Sequence, residues 1–161
     1  MLKSLRVGNE AELEVIAYLN SIGCVANKNV DKAKLIEYDI EVFQNPSDNF
    51  SSAIPPSVTM EIKNDEMSKK TGNIALEYYN SKSCKPSGIT ATKADIWVHK
   101  INGELWIIRV SELINFTKTE KPVKMISGGG DNNADLLIYR IETFTNVARR
   151  LSEITSWEQL K

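Results

Sequence analysis

Asn102-Gly103, set between two apolar runs, constrains this chain more than any other pair of residues in it. Such a step favours the type I′ turn, whose two central residues take positive φ and whose twist matches the strands it joins. Residues 95–101 and 104–110 are therefore expected to form a β-hairpin. This puts His99, the single histidine of the chain, inside a strand, where a structural role is the expectation. Ser-His-Asp triads, Cys-His pairs and histidine-based metal nucleases all need a histidine at the reacting centre, so those chemistries recede. Cys24 and Cys84 make no Cys-x-x-Cys pair, and with one histidine a zinc site would be short of ligands. Two free thiols are expected. Any catalysis falls to carboxylates, lysine and a metal.

The second informative stretch is Ser57-Val58-Thr59-Met60-Glu61-Ile62-Lys63-Asn64. As a strand it turns Val58, Met60 and Ile62 to one face and Thr59, Glu61 and Lys63 to the other. One face can pack while the other holds an acid beside a base. A Glu-x-Lys arises by chance in about one chain of this size in two, so its meaning depends on the acids around it.

Two such acids precede it. Residues 8–22 read as an amphipathic helix in which Val15, Ile16, Leu19 and Ile22 form the buried stripe and Gly23 ends the helix. Stepping that stripe back one turn reaches Glu12, near the middle of the apolar face, whereas Glu10 and Glu14 fall toward the opposite side. A carboxylate aimed at the core costs several kcal/mol unless a metal, a cation or a water-filled cleft compensates it. Glu12 is either such a group or a first-turn acid favoured by the helix dipole. Strands follow over residues 24–30 and 35–43, with a turn at Asp31-Lys32-Ala33-Lys34 between them. Glu37 and Glu41 are read as solvated surface, but Asp39 stands mid-strand, where aspartate is depleted.

Residues 44–56, rich in Asn, Ser and Pro, read as a surface loop, and Lys69-Lys70-Thr71-Gly72-Asn73 as a turn into a strand over residues 74–79. Tyr78 and Tyr79 are assigned to core packing rather than base stacking. Pro86-Ser87-Gly88 breaks the chain again. Ser111 is placed as the cap of a short helix to about Phe116. Residues 127–131, with Gly128-Gly129-Gly130, read as a mobile loop before a last strand over residues 136–141, and a C-terminal helix is expected from about Thr145. The triple glycine lacks the Gly-Lys-Ser/Thr ending of a phosphate loop. At 161 residues, with 42% hydrophobic and 25% charged content, one α/β domain spanning 1–161 is expected. No run approaches the roughly 18 apolar residues of a membrane span, and no apolar signal core opens the chain, so a soluble cytoplasmic protein without membrane partners is expected.

The order helix, strand, strand, strand, carrying Glu12, Asp39 and Glu61-x-Lys63, resembles the PD-(D/E)xK nuclease superfamily. Gly8-Asn9-Glu10-Ala11-Glu12-Leu13 looks like the opening of archaeal-type Holliday junction resolvases. Thr71-Gly72-Asn73, Glu77, Ser87-Gly88-Ile89 and Thr92-Lys93-Ala94-Asp95 resemble phage-type endonucleases of the same superfamily. The likeness covers residues 8 to 110 and departs from the family name at one point, where Tyr38 replaces the proline before Asp39. It implies a restriction-endonuclease-like core, a central mixed β-sheet flanked by helices.

The chemistry agrees with that resemblance. Hard oxygen ligands from Asp39 and Glu61 suit Mg²⁺ or Mn²⁺, with Glu12 contacting the metal directly or through water. The resemblance alone adds the backbone carbonyl of Ile62 as a further ligand. Lys63, on the same strand face as Glu61, can orient the attacking water or neutralise the transition state. The catalytic set is then Glu12, Asp39, Glu61 and Lys63, and the expected activity is metal-dependent hydrolysis of DNA phosphodiesters, on branched or structured DNA such as Holliday junctions. The alternative is a non-catalytic nucleic-acid or protein-binding module on the same fold. A net charge of −1 does not advertise nucleic acid, but between residues 63 and 100 seven lysines face four acids, a local excess of +3. Lys69, Lys70, Lys82 and Lys85, beside expected loops, are the phosphate-contact candidates together with Ser87. DNA is the expected partner, and a homodimer is allowed for.

Overall fold

The computed structural model describes residues 2–30, 37–45, 56–129 and 133–161. The chain opens with α1 (Leu2–Ser21) and runs through β1 (Cys24–Lys28), β2 (Ile40–Gln44) and β3 (Ser57–Asp65). A one-turn helix α2 (Ser68–Thr71) leads into β4 (Asn73–Asn80) and the short β5 (Lys85–Pro86). The hairpin β6 (Ile96–Ile101) and β7 (Glu104–Arg109) follows, then α3 (Val110–Thr119), β8 (Lys124–Gly129), β9 (Ala134–Arg140), α4 (Ile141–Thr145) and β10 (Arg149–Arg150).

Two sheets result. The larger has the order β1-β2-β3-β6-β7-β10, and the smaller β5-β4-β9-β8. In the larger sheet β3 and β6 are parallel, with Glu61 opposite Trp97 and Lys63 opposite His99, and every other pairing is antiparallel. This is an α/β fold with a mixed central sheet.

Both faces of that sheet are covered, for different reasons. Ala11, Val15 and Leu19 recur at helical spacing on α1 and pack against Val42, Val58, Met60, Ile62 and Val98. The other face turns Trp97, Ile101 and Ile108 toward Ile74 and Leu76 of β4, Tyr139 of β9, and Leu113 and Phe116 of α3. The sheet is thus flanked by a helix on one side, and on the other by a second sheet together with α3. Burying each large apolar side chain of these clusters contributes about 1.5–3 kcal/mol. No helix among the described residues is long and apolar enough to cross a membrane.

The Asn102-Gly103 hairpin forms with φ of 54° and 87° at its two central residues, as a type I′ turn requires. Gly23 ends α1 at φ 86°. Both cysteines are free, Cys24 buried and Cys84 exposed. Tyr78 packs against the second cluster and Tyr79 is half-buried.

Several expectations are corrected. Asp39 lies in a bend one residue before β2 rather than mid-strand, and α3 starts at Val110 without a side-chain cap from Ser111, running to Thr119. Lys69 and Lys70 belong to a helical turn, because Asp65 Oδ1 accepts the Met67 and Ser68 amides (3.1 and 3.0 Å) and nucleates it. Ser127 and Gly128 belong to a bulged edge strand, since Asp135 Oδ1 accepts both the Ser127 hydroxyl and the Gly128 amide. Helix ends at Thr145 rather than beginning there: β10 pairs with β7, and two 3₁₀ turns (Leu151–Glu153 and Trp157–Gln159) complete the chain. Leu151, Ile154, Trp157 and Leu160 are buried at intervals of three, the period of a 3₁₀ turn and one easily read as an α-helical stripe. The expected turn at residues 31–34 and most of the loop at 44–56 lie outside the described residues.

One glycine is dictated by close approach. Gly88 has φ +52°, and a Cβ there would stand 2.1 Å from the carbonyl oxygen of Glu77 on β4. Gly103 has φ +87° with open space around it. Gly88→Ala is accordingly expected to cost at least about 2 kcal/mol, and Gly103→Ala about 1 kcal/mol. Thermal unfolding checks this: Tm should fall by roughly 4–8 °C for the first, and equal shifts for both would refute the packing argument.

Candidate active site

The polar face of β3 runs Thr59, Glu61, Lys63, Asp65; the middle two pair with each other and the outer two reach other strands. Thr59 is clamped to Asp95, whose Oδ2 accepts both the Thr59 amide (2.8 Å) and its hydroxyl (2.9 Å). Glu61, 9% exposed, meets the Lys63 ammonium at 2.5 Å. Asp65 turns to His99 and to the start of β4.

Asp39 is brought to this face by register. Ile40 pairs with Met60 in the antiparallel β2–β3 ladder, so the next position places Asp39 opposite Glu61. Its amide donates to the Met60 carbonyl (2.9 Å), and its Oδ2 accepts the Ile62 amide (2.7 Å). A hydrogen bond to a charged acceptor contributes about 1.5–3 kcal/mol. The preceding chain is fixed too: Asn29 takes the carbonyl of Asp39 on its amide (2.8 Å) and that of Tyr38 on its Nδ2 (3.0 Å), and the Lys93 amide donates to the Glu37 carbonyl (3.0 Å). Glu37, expected as solvated surface, also pairs with the Lys93 side chain.

The electrostatics follow from burial. Burial pushes the Glu61 carboxyl up, the Lys63 ammonium pulls it down, and the charge of Asp39 raises it again, with a hydrogen bond from Thr92 lowering it; the net direction is up. For Lys63, burial pulls down, but the charges of Glu61, Asp39 and Glu77 outweigh it and hold the ammonium above its ordinary value. Lys63 is therefore held as a cation, chiefly by Glu61 beside it on β3, with the charges of Asp39 and of Glu77 on β4 adding to the effect. Its side chain remains 40% exposed, so solvent reaches it.

Asp39, Glu61 and Lys63 are thus brought together, and the charge of Glu77, on β4 of the second sheet, acts on Lys63. Glu12, on α1, has its carboxylate paired with Lys28 of β1. Ile62 is buried against α1, and its amide is the group engaged by Asp39. Lys69 and Lys70 lie on α2 before β4, while Lys82 and Lys85 lie beyond its far end, all exposed. Eight strand residues separate the two pairs by roughly 25 Å. Ser87 is half-buried, with an Oγ that has no hydrogen-bond partner among the described residues.

Asp65 is the residue that sequence reasoning passed over, although the period of two from Glu61 and Lys63 leads directly to it. Its Oδ2 accepts the Ala75 amide (3.0 Å) and faces His99 Nε2 at 3.4 Å, tying β3 to β4 and β6. Among the described residues, no three His, Cys, Asp or Glu side chains converge as a ready-made metal cluster. The donors present still suit a hard divalent cation, because Mg²⁺ keeps several waters and is commonly held by one or two carboxylates. Asp39 and Glu61 supply that number. No family model matches this chain, and no curated protein or solved structure matches it.

Burial pushes the Asp65 carboxyl up, but the hydrogen bond from His99, the charge of that ring when protonated, and the Ala75 and Ser68 amides hold it below its ordinary value. A depressed carboxyl contributes stability that is present above its unfolded value, near 4, and lost as pH falls through the folded value. Glu61 acts in the opposite sense, its contribution fully present below the unfolded value and declining as pH rises through the folded one. Asp65→Asn is expected to lower stability at pH 7 and to flatten the loss seen below about pH 4. Urea unfolding from pH 3 to 7 on both chains checks this, and parallel curves would count against it.

Proposed function

We propose that this chain is a metal-dependent endonuclease that hydrolyses DNA phosphodiesters, with Asp39, Glu61 and Lys63 at its centre. The observation that carries the reading is the opposition of Asp39 and Glu61 across the β2–β3 register, with the Lys63 ammonium on the same face. The parallel β3–β6 step beside an antiparallel β1-β2-β3 run, with α1 against one face, supports a restriction-endonuclease-like core.

Asp39 and Glu61 would hold Mg²⁺ or Mn²⁺. Such a cation supplies Lewis-acid polarisation of a phosphoryl oxygen and lowers the pKa of a coordinated water. Lys63, held protonated by its acid neighbours, is no general base; it offsets the negative charge that develops on the phosphorus oxygens. A phosphate entering the site competes with Glu61 for the Lys63 ammonium and so frees the Glu61 carboxylate. Asp39 stays where the Ile62 amide fixes it. The lysine pairs 69/70 and 82/85, exposed on either side of Glu77, suit contacts to a phosphate backbone, and structured DNA is the substrate class the reading favours.

The direct Glu61–Lys63 pair also suits a second reading, a binding module whose charges neutralise one another. Cleavage assays separate the two. The purified chain is expected to cut linear or four-way DNA with Mg²⁺ or Mn²⁺ and to stop with chelator. Asp39→Asn should abolish cleavage at equal or higher DNA affinity, since a negative charge is removed. Lys63→Ala should slow single-turnover cleavage on the order of 10²- to 10³-fold with affinity changed only a few-fold. Chelator-insensitive cutting, or binding without cutting by the parent chain, would reject the nuclease.

A further inference from the structure

Lys63 carries its charge on four rotatable carbons, and holding such a side chain in one place costs rotamer entropy. The ion pair with Glu61 fixes only its tip. A second contact lies beneath it, because Lys63 Nζ stands 5.7 Å from the centroid of the Trp97 ring, within cation–π range.

Trp97 is 1% exposed and belongs to β6, in register with Glu61. Its one polar atom, Nε1, donates to His99 Nδ1 at 3.1 Å, and the two rings lie 27° apart. Since Nδ1 accepts that bond, the proton of the neutral imidazole resides on Nε2, which faces Asp65 Oδ2 at 3.4 Å. Asp65 is in turn pinned by the amides of Met67, Ser68 and Ala75. Rotating the Trp97 ring away from Lys63 would leave its N–H unpaired in a buried environment and strand His99 Nδ1 as well. The same Asp65 carboxylate that orders this chain of bonds also accepts the Ala75 amide at the start of β4.

We propose that Trp97, locked by His99 and Asp65, is the positioning residue for Lys63, so that the lone histidine works as a bracket behind the site. The catalytic significance of this bracket rests on the nuclease reading above, whereas the placement of Lys63 does not. None of the three residues touches the reacting atoms.

The test uses the 161-residue chain without metal or DNA. A Lys63 side chain above an indole face has its methylene proton signals shifted upfield by the ring current. Those signals, assigned by their disappearance in Lys63→Arg, should return to ordinary lysine positions in Trp97→Leu and in His99→Leu. His99→Gln should keep the upfield positions, because its Oε1 can accept the Trp97 N–H while its Nε2 donates to Asp65. If His99→Leu fails to fold, Trp97→Phe takes its place, retaining a ring but losing the tether, and is expected to show a reduced shift. In single-turnover cleavage His99→Leu should lose on the order of 10- to 100-fold in rate with little change in DNA affinity, and His99→Gln should stay near the parent. Ordinary lysine positions in the parent, or identical behaviour of His99→Leu and His99→Gln, would overturn the proposal. Upfield signals that follow this pattern in a chain that cuts no DNA would uphold the bracket and reject the nuclease.

Discussion

Placing an acid at the centre of a sheet covered on both faces costs several kcal/mol unless its charge is met, and the neighbourhood of Glu61 is arranged to meet it. Lys63 lies two residues along the strand at 2.5 Å, and Thr92 adds a hydrogen bond. These do not cancel burial entirely, because Asp39 adds a like charge from across the ladder. The result is a carboxyl held above its ordinary range next to a lysine also held above its own. A purely structural pair would relax more cheaply by replacing one acid with an apolar side chain of similar volume. The excess of negative charge around one ammonium is what a cation or a phosphate would alter.

Much of this was legible in the residues. Period-two alternation in Ser57–Asn64 correctly divided an α1-facing apolar row from a polar row, and Asn102-Gly103 fixed a hairpin whose first strand became the parallel neighbour of β3. What alternation alone could not supply was the depth of the charged row. Glu61 is buried because a second sheet, assembled from β4 and the distant β8–β9 pair, closes over part of that face. No local pattern announces a partner some sixty residues away.

The misreadings have physical causes as well. Asp39 looked like a mid-strand aspartate because Tyr38 and Ile40 are strand formers, yet its carboxylate and amide bind the backbone of β3 and it sits in the bend that starts β2. Glu12, by contrast, falls on the apolar stripe of α1 as helical spacing requires, and Lys28 at the end of β1 supplies a cation of the kind such a buried acid demands. The C-terminal segment imitates a helix because apolar residues every three positions serve a 3₁₀ turn equally well. His99 takes the structural place expected of it inside a strand, and its two nitrogens show what that place demands: an acceptor for Trp97 on one side and a donor toward Asp65 on the other.

The parallel pairing of β3 with β6 has a consequence for the order in which the molecule assembles. The β6–β7 hairpin is closed by a two-residue turn, but β3 reaches β6 only across a thirty-residue crossover, and that crossover contains β4, whose own partner β9 lies about sixty residues further on. Closing loops of that length is entropically slow compared with closing a hairpin. On topology alone, Glu61 stays hydrated while the local elements form, and it loses that water only when the second sheet docks. The desolvation of the charged face is therefore one of the last costs the folding chain meets, and it falls after most of the apolar burial that can offset it.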